Sequence, residues 1–243
     1  MAVAAQLRSH RAAWEAKPAL RAIYHDCYRR MAAAARPGRS LEIGGGTGNF
    51  KAFAPDVVTT DIQEAHWLDA VCDAQELPFA DASFDNIVLF DVLHHIERPR
   101  LFFAEARRLL RPCGRVVMVE PAITPVSRVV YTRFHPEPVD MGADPLAEGP
   151  RSTNRDPFDA NQAIPTLLFG RAGGADFAAA FPELRVRAVR RLSLFAYPLT
   201  GGFRGWSLIP SAVVRPLLRL EDALLPVLGP LMAFRLMVVL ERR

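Results

Sequence analysis

A chain of 243 residues, half of them hydrophobic and 23% charged, has an ordinary globular balance and is long enough to bury a full core without staples. Its three cysteines, Cys27, Cys72 and Cys113, are scattered and odd in number. That excludes a disulfide framework, and no CxxC or Cys/His spacing suggests a zinc site, so no metal is expected. The net charge of +4 is almost all arginine, with Lys17 and Lys51 the only lysines; no basic run or recognition motif turns it into a nucleic-acid signal.

Residues 1–37 read as a helical lead-in, broken at Pro18 and stopped by Arg36-Pro37-Gly38, with Leu20, Ile23, Cys27 and Met31 at helical spacing. The opening residues lack a charged start followed by an apolar run, so no secretory signal is expected and the expected location is cytoplasmic. From residue 38 the period changes. Ser40-Leu41-Glu42-Ile43 is a short strand that runs into glycines, and residues 49–53 open a helix. Strands follow at 57–60, ending at Asp61, and more weakly at 67–72, ending at Asp73. Residues 84–90 form a strong buried strand. Residues 99–110 form a helix with Leu101, Phe102, Ala106, Leu109 and Leu110 on its apolar face, and 115–120 form a fifth strand. Alternating strands and helices joined by short turns predict a doubly wound, mostly parallel α/β sheet.

Residues 121–165 are rich in Pro, Gly and Asp and carry one convincing helix, 125–134, so the segment 121–183 reads as an insertion or lid after the fifth strand. Residues 184–194 alternate as a strand, 217–228 read as a helix, and 232–240 close the chain as a last strand. The organisation is a single domain, 1–243, with 38–120 as the cofactor-binding half and 184–243 as the C-terminal strands and helix. The apolar stretch 223–234 is interrupted by Pro226 and Pro230 and is too short to span a bilayer.

The strongest local signal is Leu41-Glu42-Ile43-Gly44-Gly45-Gly46-Thr47-Gly48 between a strand and a helix. Glycine admits positive φ and lets a ligand press against backbone. A dinucleotide fingerprint would need glycine at 49, where Asn49 stands, and there is no phosphate-loop Lys-Ser/Thr pair. The turn therefore suits a nucleoside without a pyrophosphate, which argues against the rival reading of a nicotinamide-dependent oxidoreductase. In open α/β sheets ligands sit beyond the carboxyl ends of the strands. The acidic residues fall there: Asp61 to accept ribose hydroxyls, Asp73 with the Ala74 backbone to read an adenine edge, Glu42 to favour a cationic amine, and Asp91 on the same rim.

These residues resemble the class I S-adenosylmethionine-dependent methyltransferases, in particular the type 11 small-molecule group. The likeness is carried by the glycine motif, Asp61-Ile62, Asp73-Ala74-Gln75-Glu76-Leu77-Pro78-Phe79, Phe84-Asp85, Leu93-His94-His95-Ile96 and Leu109-Leu110-Arg111-Pro112-Cys113-Gly114-Arg115. One departure is Gly45, where other small residues are also common. The resemblance implies a seven-stranded sheet with an antiparallel last strand and S-adenosyl-L-methionine as cofactor. It also implies Gly44, Gly46 and Gly48 at the methionine and ribose end, Asp61 with Ile62 on the ribose, and Asp73 with Ala74 at adenine.

Methyl transfer from a sulfonium is an in-line displacement, so positioning can supply most of the acceleration, and a base is needed only if the acceptor must lose a proton. His94, His95 and Glu120 are the candidates for that role, and Tyr131, His135 and Glu137 are candidates to face an acceptor. The apolar segment after residue 200, with Phe203, Trp206 and Leu208, suits core or dimer packing, a hydrophobic acceptor or a peripheral membrane contact. The expected partner is a small-molecule, lipid-linked or glycan acceptor, with no nucleic acid, on a monomer or homodimer. Because displacement chemistry needs no fixed catalytic residue, a non-catalytic S-adenosylmethionine-binding regulator is the other reading.

Overall fold

The computed structural model describes residues 2–152, 155–170 and 173–243, and side chains from residue 7 onward. Helices α1 (Ala2–Ala16) and α2 (Pro18–Ala34) precede strand β1 (Ser40–Ile43), helix α3 (Asn49–Phe53), and strands β2 (Val58–Asp61), β3 (Ala70–Val71) and β4 (Phe84–Phe90). A 3-10 turn, Leu93–His95, leads to α4 (Pro99–Leu109) and β5 (Leu110–Pro121). Then come α5 (Pro125–Phe134), α6 (Ile164–Phe169), α7 (Gly174–Ala180), β6 (Leu184–Leu192), α8 (Ala196–Thr200), α9 (Ser211–Met232) and β7 (Arg235–Arg242).

The strands form one seven-stranded sheet in the order β3-β2-β1-β4-β5-β7-β6. The β1–β2, β1–β4, β2–β3 and β4–β5 pairs are parallel. The last strand, β7, slots antiparallel between β5 and β6, with Val117 opposite Val239 and Val189 opposite Val238. Both faces are buried, so the central strands are almost continuously apolar. Ile87 and Leu89 of β4, Val116 and Met118 of β5, and Val238 and Leu240 of β7 point to one face. Phe102, Phe103, Leu168 and Phe177 from α4, α6 and α7 cover them there. Val88, Val117, Val119 and Val239 point to the other face, against Leu20, Tyr24, Tyr28 and Met31 of α2 and Phe50 of α3. Burial of this kind stabilises by about 25 cal/mol per Å² of apolar surface.

Three departures from the sequence reading have local causes. The expected strand 67–72 shrinks to Ala70–Val71, because Trp67 leaves the ladder to donate its indole N–H to the Gly46 carbonyl at 3.0 Å. Beyond the expected helix at 125–134, the segment 121–183 holds α6 and α7, which place Leu168 and Phe177 in the main core, so part of the insertion is a structural layer. The helix expected at 217–228 extends over Ser211–Met232, straight through Pro216, Pro226 and Pro230. All three prolines face outward, where the carbonyls they leave unbonded can meet water. Among the described residues, no helix is long and apolar enough to cross a membrane.

Candidate functional site

The parallel strands end on one rim, and a cavity of about 1500 Å³ opens above it. The glycine turn shapes its floor. Gly44 takes φ +71°, and a Cβ there would lie 2.3 Å from the Val92 side chain, so the turn can pass beneath the β4 rim only without a side chain. Gly46, at φ +43°, has nothing nearer than 3.7 Å to its missing Cβ, which leaves its backbone open to a ligand. Glu42, Gly44, Gly46, Asp61, Ile62, Asp73, Ala74, Asp91, His94 and His95 all line the cavity. Gly48 and Glu120 stand behind this lining. Gly48 caps α3 at φ +77° and is glycine because the Trp67 ring would lie 2.9 Å from a Cβ.

Each rim carboxylate is held differently. Asp61 accepts from the Gly46 N–H at 2.8 Å and the Gln63 N–H at 2.9 Å, so it faces the cavity already oriented, and burial raises its pKa despite those bonds. Glu42 accepts from the Thr59 hydroxyl, and burial pushes it up to about 7. Asp73 accepts from the Gln75 N–H at 2.8 Å and from Arg151 at 3.1 Å, so an arginine of the insertion closes over this end of the rim. Asp91 is not a free rim carboxylate. It sits in the left-handed region at φ +56° and is gripped by the buried Arg235 guanidinium through both oxygens.

The 3-10 turn, just beyond Val92, lines the same cavity with two histidines. Glu120 is wholly buried behind them and accepts from the Val92 N–H at 2.9 Å and the Leu93 N–H at 2.8 Å. Its other oxygen lies 2.8 Å from Nδ1 of His94. Glu120 therefore positions the turn and cannot reach an acceptor. Nε2 of His94 lies 3.4 Å from Glu137 and Nε2 of His95 lies 3.9 Å from it. Burial pulls His94 down, but the two flanking carboxylates outweigh it and hold the ring up to about 10; burial and the His94 charge push His95 down to about 4.

The walls come from segments whose role had no clear sequence signature. His10 of α1 stacks on Phe203 at 4.6 Å, which brings the lead-in over the cavity. Lys17 fastens that lead-in to the loop after α8, donating to the carbonyls of Thr200 and Gly202 at 2.5 Å and of Arg204 at 2.9 Å. Tyr24, Tyr131, Phe134, Phe203 and Trp206 give the far wall its aromatic character. The sequence signal for Arg235 is a lone charge opening an otherwise apolar strand.

Residues 41–118, which carry the glycine turn, the rim carboxylates and both histidines, match the family profile described as a methyltransferase domain. Over those residues the chain is similar to methyltransferase domains. It is similar to the ubiquinone/menaquinone biosynthesis C-methyltransferase UbiE of Ralstonia pickettii, 36% identical over 110 residues, covering 36% of this chain and 45% of that one. The match thus spans less than half the length of that curated relative. In fold, the chain is similar to a SAM-dependent methyltransferase from Archaeoglobus fulgidus (TM-score 0.56, 14% identity, 91% of this chain and 94% of that one). It is also similar to a geranyl diphosphate C-methyltransferase from Streptomyces coelicolor A3(2) (TM-score 0.52, 11% identity, 90% of this chain and 79% of that one). Both likenesses support the seven-stranded methyltransferase fold, with its last strand antiparallel, that the order of the strands displays.

Proposed function

We propose that this chain is a cytoplasmic S-adenosylmethionine-dependent methyltransferase whose acceptor is an apolar small molecule with a ring, of the quinone or prenyl-linked kind. One observation carries the reading: a single cavity joins two unlike linings. A bare glycine turn with the oriented carboxylate of Asp61, with Glu42 and with Asp73 forms one. Aromatic walls and a histidine pair form the other. At about 1500 Å³ the cavity exceeds the ~300–1,000 Å³ of a typical single-ligand pocket, which leaves room for a cofactor and an acceptor together.

The donor set fits the cofactor. Asp61, fixed by two N–H groups, is placed to accept both ribose hydroxyls. Asp73 and the Ala74 backbone suit an adenine edge, and Glu42 beneath Gly45 suits the amino group of the methionine half. When bound, S-adenosylmethionine supplies a methyl group activated by its sulfonium. The chain's own part is positional: the glycine turn and Asp61 orient the nucleoside end, and the aromatic wall and the α1 helix exclude water from the acceptor. The names of the similar proteins, a quinone C-methyltransferase and a geranyl diphosphate C-methyltransferase, support an apolar acceptor.

Calorimetric titration with S-adenosylhomocysteine tests the cofactor half. Binding is expected, with Kd raised about 100-fold by Asp61→Ala and about 10-fold by Asp61→Asn, since a hydrogen bond to a charged group contributes ~1.5–3 kcal/mol. No binding, or binding indifferent to both substitutions, would overturn the reading. Transfer of labelled methyl groups into a lipid-soluble extract tests the acceptor half and separates an enzyme from a cofactor-binding regulator.

A further inference from the structure

We propose that His94, His95 and Glu137 form a binding site for a divalent transition-metal ion in the cavity. Both histidines come from the turn after β4, and the glutamate comes from the segment after α5, so the site exists only in the folded chain. One ligand atom from each residue falls within 4.8 Å of the other two. The closest approaches are 3.4 Å from Nε2 of His94 to Oε2 of Glu137 and 3.9 Å from Nε2 of His95 to Oε1 of Glu137. Two donors bound to one ion at ~2.0–2.2 Å, roughly 90–110° apart, are separated by about 3 to 3.5 Å, so the His94–Glu137 pair already fits and the widest pair closes by about 1 Å on an ion.

Three further observations point the same way. The first is behind His94. Its Nδ1 lies 2.8 Å from the wholly buried Glu120, whose other oxygen is pinned by two backbone N–H groups. When the His94 ring is neutral, this contact keeps its proton on Nδ1 and leaves Nε2, which faces Glu137, as the atom that can ligate. A carboxylate behind a histidine is how metal-ligating imidazoles are oriented and made more basic. The second is an orphan: Nδ1 of His95 is buried with no hydrogen-bond partner, so this nitrogen is left free for a ligand. The third is charge. Glu120 and Glu137 bring two carboxylates into contact with one imidazole; a proton on His94 balances one of them, whereas a divalent ion between neutral imidazoles balances both.

The donor set also sorts the ions. Two imidazoles and one carboxylate with open positions toward a cavity suit Zn²⁺, Mn²⁺, Fe²⁺ or Co²⁺, while Mg²⁺ and Ca²⁺ prefer all-oxygen sets. The open positions face the cavity, where an oxygen of the acceptor, such as a ring hydroxyl or carbonyl, can take one of them. That use of the ion rests on the methyltransferase reading; the ion site itself does not.

The full chain is stripped with chelator and titrated with Co²⁺, whose visible bands report nitrogen and oxygen coordination, with Zn²⁺ as competitor. The expected result is one Co²⁺ per chain, displaced by one Zn²⁺. His95→Ala and Glu137→Gln should abolish saturable binding, and Glu120→Gln should weaken it about 10- to 100-fold. The exposed His66→Ala should leave it unchanged. Circular dichroism and S-adenosylhomocysteine affinity serve as folding controls for each variant. Binding that survives both His95→Ala and Glu137→Gln would place the ion elsewhere and overturn the proposal. So would the absence of stoichiometric Co²⁺ and Zn²⁺ binding in a folded chain that still binds S-adenosylhomocysteine; His94 is then an imidazolium bridging Glu120 and Glu137.

Discussion

Arg235, at the start of β7, donates through both terminal nitrogens to the two carboxylate oxygens of Asp91, at the end of β4. The guanidinium is buried, at 3% exposure, with the rings of Tyr197 and Phe90 packed at 4.2 and 4.9 Å. The pair ties the antiparallel last strand to the rim of the parallel half and holds Asp91 in a left-handed conformation that few non-glycine residues adopt. Asp91→Ala strands a buried cation and should destabilise the fold by roughly 3–5 kcal/mol. Asp91→Ala with Arg235→Met, which removes both charges and keeps an apolar body, should recover most of that loss in urea unfolding. Equal loss in the single and double variants would show that the pair is not the source of the stability.

Glu42 should make cofactor binding depend on pH. Burial pushes its carboxyl from the ordinary 4.5 up to about 7, so below pH 7 the folded protein holds a proton that the unfolded chain has already lost. The free protein accordingly loses this contribution to stability as pH rises from about 4.5 through 7. A ligand ammonium favours the ionised form, so its binding expels the proton. Affinity for S-adenosylhomocysteine should fall up to about tenfold for each pH unit below 7 and level off above it. Calorimetry in buffers of different ionisation enthalpy would read the released proton, and Glu42→Gln should flatten the profile. A wild-type profile already flat between pH 5.5 and 7.5 would show that Glu42 does not face the amine.

The parts legible in the sequence are those written locally. The strand into the glycine turn and the acidic strand ends at Asp61, Asp73 and Asp91 rest on short-range pattern, and all of these residues reach the cavity. What sequence cannot display is which partner a side chain meets. Glu120 reads as a rim carboxylate because it ends a strand, yet the 3-10 turn folds back over it and uses it as a backbone acceptor. Glu137 lies beyond α5 in a proline-rich stretch with no periodicity, so its approach to His94 and His95 is purely tertiary. Asp91 has the right place and a different occupation, because Arg235 comes from the far end of the chain. Prolines 226 and 230 are sound helix breakers by rule, but they fail to break α9 because its outer face is in water.

The glycine turn should tolerate no side chain at its first position. Alanine at Gly44 meets Val92 at 2.3 Å and adopts φ +71°, which by itself costs about 1–2 kcal/mol. Gly44→Ala should therefore cost more than that backbone penalty in urea unfolding and abolish S-adenosylhomocysteine binding. In Gly44→Ala/Val92→Ala the nearest Val92 atom is the Cβ at 3.1 Å, so the clash eases while the backbone cost remains, and the double variant should be less destabilised than the sum of the two single ones. Strict additivity would mean that the turn relaxes away from Val92 without help.

Lys17 is the clasp of the cavity's outer wall. Its stem is buried between α1 and α2, and its ammonium is shared by the carbonyls of Thr200, Gly202 and Arg204, the loop that carries Phe203 against His10. Burial lowers its pKa, which makes the charged form dependent on those carbonyls. Lys17→Met keeps the stem and removes the donor, leaving three carbonyls to find water in a part-buried site. The fold should lose about 2–3 kcal/mol, because charge-assisted bonds contribute more than neutral ones. The more telling measurement is hydrogen exchange. Amide protection should fall selectively in residues 200–208 and in α1, while β4 and β5 keep theirs. If protection drops uniformly, Lys17 only contributes to global stability; if it does not drop at all, the lead-in closes the cavity through the His10–Phe203 stack alone.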